Sequence, residues 1–584
     1  MSIYRTTLIV LISFLIVGCK FDKNDRKGED ILSIRLKNDP ERINPILFPN
    51  PLAREVYQYL FLPLADYDPN TLLFSPVMIV DIPKKVVVDT GMYKGHTRLD
   101  VEILEKAVWD DGSPITGYDY AFTIKAINLP YTNAKNYRQL TQSILDVQID
   151  ANNPKKFSII VDKNESLSQE VALNVEVYPS AFYDRQHLLA NFTVADFSGR
   201  NTDSLPDVDN LKAFADSFNS AIYSRDSISG SGPYHFDQWI ANQSITIKKK
   251  SSYWGTNYQH ASLMQGPDII RFFIIPDELL AITQLKSGNI DVINEMSATQ
   301  FLALKNDSIY NQKYHFLTPS LTKQYVININ NHDIILKDIS VRKALNYLLD
   351  VENIIDVIEQ GMGRRTTGYI HPEKETYDKS IQPSEYDPQK ATELLTLSGW
   401  KDNDGDGVLD KKMDGKVYPL KLEILISGQE LGKKIALMLQ EKAEKIGMKI
   451  DIKEKDFKLI RAENLKTRNY QLVPAVVSQD IIRWDDLSKF YGPNDTPNGV
   501  NDISFHNAEV DSIITKLEHP MDDGDRIALY KNFQKIIDKE TPLIFLYSPM
   551  ERIVVTKKWD AEATMKRPGY LANTFTKSVV AQKH

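Results

Sequence analysis

From Ile31 onward the chain alternates short apolar runs of period two with longer segments in which apolar residues recur at helical spacing. Ile31-Leu32-Ser33-Ile34-Arg35-Leu36 predicts a strand, as does Met448-Lys449-Ile450-Asp451-Ile452-Lys453. In the segment from Asp387 to Gly399, Asp387 can cap free amides, Pro388 suits the first helical position and Gly399 the left-handed turn after the end. A second helix follows Asp338 and Ser340, with Val341, Leu345 and Leu348 or Leu349 spaced to bury one stripe. Gln429 to Ile446 predicts a third helix, and a strand directly after it predicts a βαβ-type layer. The mixture runs to about residue 560 and predicts α/β lobes, with the polar stretch 199–229 as a surface insertion. No repeat of 20 to 50 residues occurs, which excludes solenoids and propellers.

At 584 residues the chain exceeds the roughly 250–300 at which one core stops growing, so at least two lobes are expected. A net charge of −8 has the wrong sign for holding a phosphate backbone and argues against a nucleic-acid partner. The first eighteen residues read as an export signal: Arg5 gives the positive start, Leu8 to Val17 the apolar stretch and Gly18 a small residue before Cys19. Ten apolar residues fall short of the roughly 20 that span a bilayer. Leu15-Ile16-Val17-Gly18-Cys19 resembles a bacterial lipobox, and Cys19 is the one cysteine of the sequence. Lipid on Cys19 would tether the mature chain through the charged segment that ends at Asp30. Disulfides, cysteine nucleophiles and thiolate metal sites are thereby removed from the rest of the chain.

Several motifs, in order, carry a resemblance to the extracellular solute-binding proteins of family 5, the peptide, nickel and oligosaccharide receptors of ABC importers. Trp109-Asp110-Asp111-Gly112-Ser113-Pro114-Ile115-Thr116-Gly117-Tyr118-Asp119 resembles that family's W-x-DG-x-P segment, with Gly117 where alanine is usual. Gly230-Ser231-Gly232-Pro233-Tyr234, Tyr253-Trp254-Gly255, Ser287-Gly288-Asn289-Ile290-Asp291, Val341-Arg342-Lys343-Ala344-Leu345 and Tyr386-Asp387-Pro388 continue it. The resemblance implies a two-lobed periplasmic-binding-protein-like α/β fold, class II, with an accessory third domain and a ligand cleft between the lobes. It divides the chain into a signal peptide (1–18), a tether (19–30), a first lobe (31–55, 230–295 and 548–584), an accessory domain (56–229) and a second lobe (296–547), with hinge crossings near Glu295 and Ser548. It further implies a monomeric receptor on the bacterial cell envelope, on its periplasmic or extracellular side, that delivers an oligopeptide or other small solute to an ABC permease. No chemical step is implied.

Peptide-binding members of that family carry an aspartate for the ligand amine in a W-x-A-D-Y-x-D-P-x-x-F segment. Counting back from Phe490, Arg483 stands at that position and Trp484 follows it. An arginine repels an ammonium and pairs with a carboxylate, unless Asp480 or Asp485 takes over the amine. The alternative is that Arg483 pairs with Asp480, Asp485 or Asp486 as support, and that Trp484 fills core. The loop after Asn44-Pro45 makes Phe48 and Asn50 further candidate contacts.

Asp402, Asp404, Asp406 and Asp410, with Val408 and a glycine at the sixth position, resemble a calcium loop, although Met413 stands where a bidentate ligand is needed. Structural Ca²⁺ is therefore a candidate, and no cofactor is required. No hydrolase, metalloprotease or P-loop spacing occurs, and the ten histidines do not cluster in sequence. The alternatives to a peptide receptor are a receptor for an oligosaccharide, nickel or haem complex, or a secreted hydrolase using two distant carboxylates.

Overall fold

The computed structural model describes residues 28–47, 50–163, 167–198, 205–320, 322–428, 430–478, 483–497, 499–519 and 521–578. The export signal and Cys19 lie outside these residues, as do Phe48 and Asp480. Among the described residues no helix is long and apolar enough to cross a membrane.

Two large sheets organise the chain. The first has seven strands in the order Tyr314–Leu317, Ile553–Thr556, Val292–Ile293, Ile31–Leu36, Ile269–Ile274, Ser244–Lys249 and Tyr234–Ile240. The Ile31–Leu36 strand sits centrally, parallel to Ile269–Ile274 and to Val292–Ile293. The second sheet has six strands in the order Gly363–Arg365, Leu543–Pro549, Lys323–Ile329, Leu472–Ser478, Lys421–Ile426 and Lys449–Glu454. Lys421–Ile426 and Lys449–Glu454 are parallel and are joined by the helix Glu430–Glu444, the βαβ layer that the sequence predicts.

Sequence signals account for the second-sheet helices. In Ile339–Tyr347 the Asp338 carboxylate accepts from the Ser340 amide, and Val341, Leu345 and Leu348 are fully buried, each contributing about 2 kcal/mol. In Pro388–Leu397, Asp387 accepts from the Lys390 amide and Gly399 closes the end at φ +92°. These helices and Glu430–Glu444 cover one face of the second sheet, while helices Ala508–Leu517 and Asp523–Glu540 contribute to the core on the other.

A four-stranded antiparallel sheet, Lys85–Val87, Thr97–Glu102, Lys156–Val161 and Ile144–Ile149, forms the accessory region. Its helix Gly117–Asn128 starts at a capping box of Thr116 and Asp119. A Cβ on Gly117 would lie 2.9 Å from the Phe157 ring, which explains glycine where the resembling motif has alanine. One continuous apolar core joins this region to the first sheet, from Leu32 through Phe218 to Phe575.

Two boundaries differ from the sequence reading. The chain does not leave the first lobe near Glu295: Tyr314–Leu317 pairs with Ile553–Thr556, and Met296, Phe301 and Leu304 pack with Ile293 and Val554. The crossing lies between Leu317 and Lys323, and the return lies between Pro549 and Ile553. The stretch 199–229 is also more than a surface insertion. Its described part contains the helix Val208–Phe218, which buries Leu211, Phe214, Ala215 and Phe218 on one stripe beneath a polar exterior.

Candidate functional site

In the second sheet the chain leaves Lys421–Ile426 toward Lys449–Glu454 on one side and returns to Leu472–Ser478 on the other. Such a reversal of strand order opens a crevice at the carboxyl ends of parallel strands, where α/β sheets bind ligands. A cavity of about 710 Å³ lies there, within the usual range for a small-molecule or peptide pocket. Tyr325, Ile426, Leu431, Phe457, Val473 and Val476 give it an apolar body. Phe457 and Val476 are each about half exposed and form an apolar part of its surface.

Four cations and one carboxylate line the same cavity: Arg461, Lys466, Arg468, Lys489 and Asp502. Arg468 pairs with Asp495 at 3.0 Å and Lys489 with Asp502 at 3.5 Å, whereas among the described residues no ion pair engages Arg461 or Lys466. Arg461 projects from the wide helical turn Ile460–Leu465. Leu431 and Gly432, in the first turn of Glu430–Glu444, bring the positive end of that helix to the wall. The cavity therefore combines apolar surface with an unbalanced positive charge, which suits an anionic or carboxylate-bearing ligand.

Among the described residues that sequence reasoning singled out, Asn50, Arg483, Trp484 and Asp485 make other contacts. The Asn50 side chain accepts from the amides of Leu52 and Ala53 and so caps helix Pro51–Tyr57. Arg483 pairs with Glu375 at 2.5 Å and Asp523 at 2.6 Å. Trp484 is 4% exposed, stacks on Tyr530 and carries the Arg483 guanidinium 4.4 Å from its ring centre, so its surface is already covered. Asp485 forms an ion pair with Lys374 at 2.6 Å, both side chains being nearly inaccessible. Arg483, Trp484 and Asp485 thus fasten the chain at 483–485 within the second lobe. The buried Tyr67 hydroxyl of the accessory region lies close to Arg483, a polar approach of that region to the second lobe.

A second charged group lies beside the crossings, where Ser320 bridges Met550 and the Glu551 amide donates to Pro319. The Glu55 carboxylate is buried, accepts from the Asn294 side chain at 3.1 Å and is pushed up to about 8, first by burial and then by Glu295. Burial likewise raises Glu551, whose carboxylate accepts from the amides of Glu295 and Arg552. Arg567 meets the group through Glu295 at 2.5 Å.

In the acidic loop, carboxylate oxygens of Asp402, Asp404 and Asp410 come within 4.8 Å of one another, while Asp406 lies 3.8 Å from Lys421. Asp402 accepts from the amides of Gly405 and Gly407, Asp406 from that of Val408, and Asp410 from the backbone and side chain of Asn403. The loop thus holds its turn by its own hydrogen bonds. Met413 lies in the hairpin strand Asp410–Met413 and supplies no oxygen from its side chain.

The cavity's cations escaped sequence reasoning because Arg461 and Lys466 stand among many exposed basic residues. The legible clue was local, since both follow the strand Lys449–Glu454 in the half of the lobe that contains the strand reversal.

Two sheet-centred lobes joined by paired crossings, with a ligand-sized cavity at a strand reversal, define the class of two-lobed solute-binding proteins. The family model for bacterial extracellular solute-binding proteins, family 5 (middle), matches residues 94–502, and the chain belongs to that family. It is 25% identical over 464 residues to the oligopeptide-binding protein AppA of Bacillus subtilis, covering 78% of this chain and 76% of that protein. The structure of that AppA in complex with a nonapeptide superposes with a TM-score of 0.65 at 20% identity, covering 94% of this chain and 99% of the other. NikA from Brucella suis, solved in complex with Fe(III)-EDTA, gives a TM-score of 0.70 at 17% identity, covering 94% of this chain and all of that one.

Proposed function

We propose that this chain is the substrate-binding lipoprotein of an ABC importer, capturing oligopeptides or similar solutes by closure of its lobes and passing them to a membrane permease. Lipid on Cys19 would hold it at the cell envelope, and capture and release involve no chemical step. The observation that carries the reading is the cavity at the strand reversal. Its apolar body suits varied side chains, and Arg461 and Lys466, without an ion pair among the described residues, suit a ligand carboxylate, at a peptide's end or on an acidic side chain.

An anionic metal chelate is the second reading, because the same positive charge would hold it. Native mass spectrometry of residues 20–584, purified gently from an expressing host, separates the two. A ladder of peptide masses supports oligopeptide capture. A single non-peptide mass, or a metal-containing adduct removed by chelator, supports the second reading and overturns the first.

A further inference from the structure

His332 and His506 are 174 positions apart, and the fold stacks their rings with centroids 5.1 Å apart and planes 4° from parallel. Both direct Nε2 at the same atom, Oδ2 of Asp495, at 3.7 Å for His332 and 2.9 Å for His506. Only the shorter contact is a hydrogen bond. Donor atoms of all three side chains lie within 4.8 Å of one another.

The surroundings fix the carboxylate and leave the imidazoles open. Asp495 Oδ1 accepts from Arg468 Nε at 3.0 Å and Ser504 Oγ at 3.1 Å, which leaves Oδ2 to the two imidazoles. Its side chain is 8% exposed, against 53% for His332 and 47% for His506. The loops that carry the histidines are pinned. The Asn331 side-chain amide donates to the carbonyls of Ile329, Ile503 and Pro542, and Asn501 bonds the backbone of Phe505, next to His506, in both directions.

From this geometry we infer that His332 Nε2, His506 Nε2 and Asp495 Oδ2 form a binding site for one divalent transition-metal ion of the zinc class. A tetrahedral ion with bonds of about 2.0–2.1 Å spaces neighbouring donors roughly 3.4 Å apart, and the two observed nitrogen–oxygen separations bracket that spacing; on binding, the parallel, half-exposed rings would turn toward each other so that both in-plane Nε2 lone pairs reach the ion. Two imidazoles and one carboxylate select Zn²⁺, Ni²⁺ or Cu²⁺ over Ca²⁺ and Mg²⁺, which take oxygen ligands. The remaining position faces solvent between the half-exposed rings and takes water. Arg468 and Ser504 hold the ligating carboxylate as an outer shell. Arg468 also lines the cavity, so a bound ion would stiffen that wall without entering it.

The test uses the chain from residue 20 to 584, stripped with EDTA, incubated with zinc chloride, desalted and assayed by elemental mass spectrometry, with cobalt(II) titration in parallel. The wild type should retain one zinc per chain and develop the visible d–d bands of four-coordinate cobalt. His332→Ala/His506→Ala should lose both, and Arg468→Ala should weaken zinc affinity about tenfold. Asp402→Asn/Asp404→Asn, in the acidic loop, should leave zinc retention unchanged. Melting in EDTA checks that every variant folds, and His506→Gln gives a shape-conserving second test of the ligand. Equal zinc retention by the wild type and the double histidine variant would overturn the assignment, as would a wild type that retains none.

Discussion

Lys374 and Asp485 form an ion pair at 2.6 Å in which both side chains are almost wholly withdrawn from solvent. The Tyr530 hydroxyl donates to the Asp485 carbonyl, and Trp484 stacks on the same tyrosine, so one buried knot fixes Trp484 and Asp485 in place. Removing one partner strands a charge in the interior. Asp485→Ala should therefore cost about 3–5 kcal/mol, whereas Lys374→Met/Asp485→Leu should restore most of it. Urea unfolding of the three proteins checks this, and equal losses in the single and double variants would contradict it.

Arg461 and Lys466 should carry the charge preference of the cavity. Arg461→Ala/Lys466→Ala is expected to weaken an acidic or carboxylate-bearing ligand about tenfold or more and to flatten the salt dependence of binding. Arg483→Ala is expected to leave affinity within about twofold, because Glu375 and Asp523 already occupy its guanidinium. Calorimetry with a ligand recovered from the native protein decides between the two sites.

Glu55 makes stability depend on pH in a defined direction. In the folded chain it keeps its proton up to about 8, while an unfolded glutamate releases it near 4.5, so the unfolded state binds fewer protons between these values. Stability from this residue therefore falls as pH rises through that window. The groups around it are Glu295, Glu551, Arg567 and Asn294, together with Arg35, Tyr59 and Tyr570. Relative to the wild type, Glu55→Gln should change little at pH 5 and stabilise by on the order of 3 kcal/mol at pH 9. Melting curves at both pH values test this, and a pH-independent difference would refute it.

Tyr67 brings the accessory region close to Arg483. Tyr67→Phe, which removes the hydroxyl beside Arg483, should loosen the accessory region from the second lobe and weaken ligand binding by up to about fivefold, with stability of each lobe nearly unchanged. Small-angle scattering without ligand should report a larger radius of gyration for the variant; identical profiles and affinities would remove the contact from the closure mechanism.

Much of the architecture was legible where the signal is local. Asp387, Pro388 and Gly399 announce a helix, and Ile31 to Leu36 a strand, because caps and periodicity act over a few residues. The helix Val208–Phe218 was legible too, in the spacing of Leu211, Phe214, Ala215 and Phe218, but its polar flanks and their aspartates obscured it. Strand Tyr314–Leu317 joins the first sheet through a partner some 240 positions away, and no local pattern specifies that choice. The same holds for the site. Resemblance of the Arg483 segment to an amine-binding motif named a position, but whether a side chain there meets ligand depends on Glu375 and Asp523, which only the fold brings near. The pairing of His332 with His506 is of the same kind, invisible to any search for clustered histidines.

The central place of Ile31–Leu36 in the first sheet sets an order of assembly. Its immediate neighbours are the 269–274 and 292–293 strands, and the sheet is completed beyond them by Ile553–Thr556 from near the other end of the chain. Lys323 to Pro549, by contrast, contains every strand of the second sheet in one unbroken stretch. As the polypeptide emerges from its amino-terminal end, the second lobe has all its strands before the first sheet has received its last one, so the strand Ile31–Leu36 is among the first made and among the last sealed. Truncation shortly before residue 553 would leave a folded second lobe beside an open, aggregation-prone edge, and the strand Ile553–Thr556 acts as the closing seam of the first sheet.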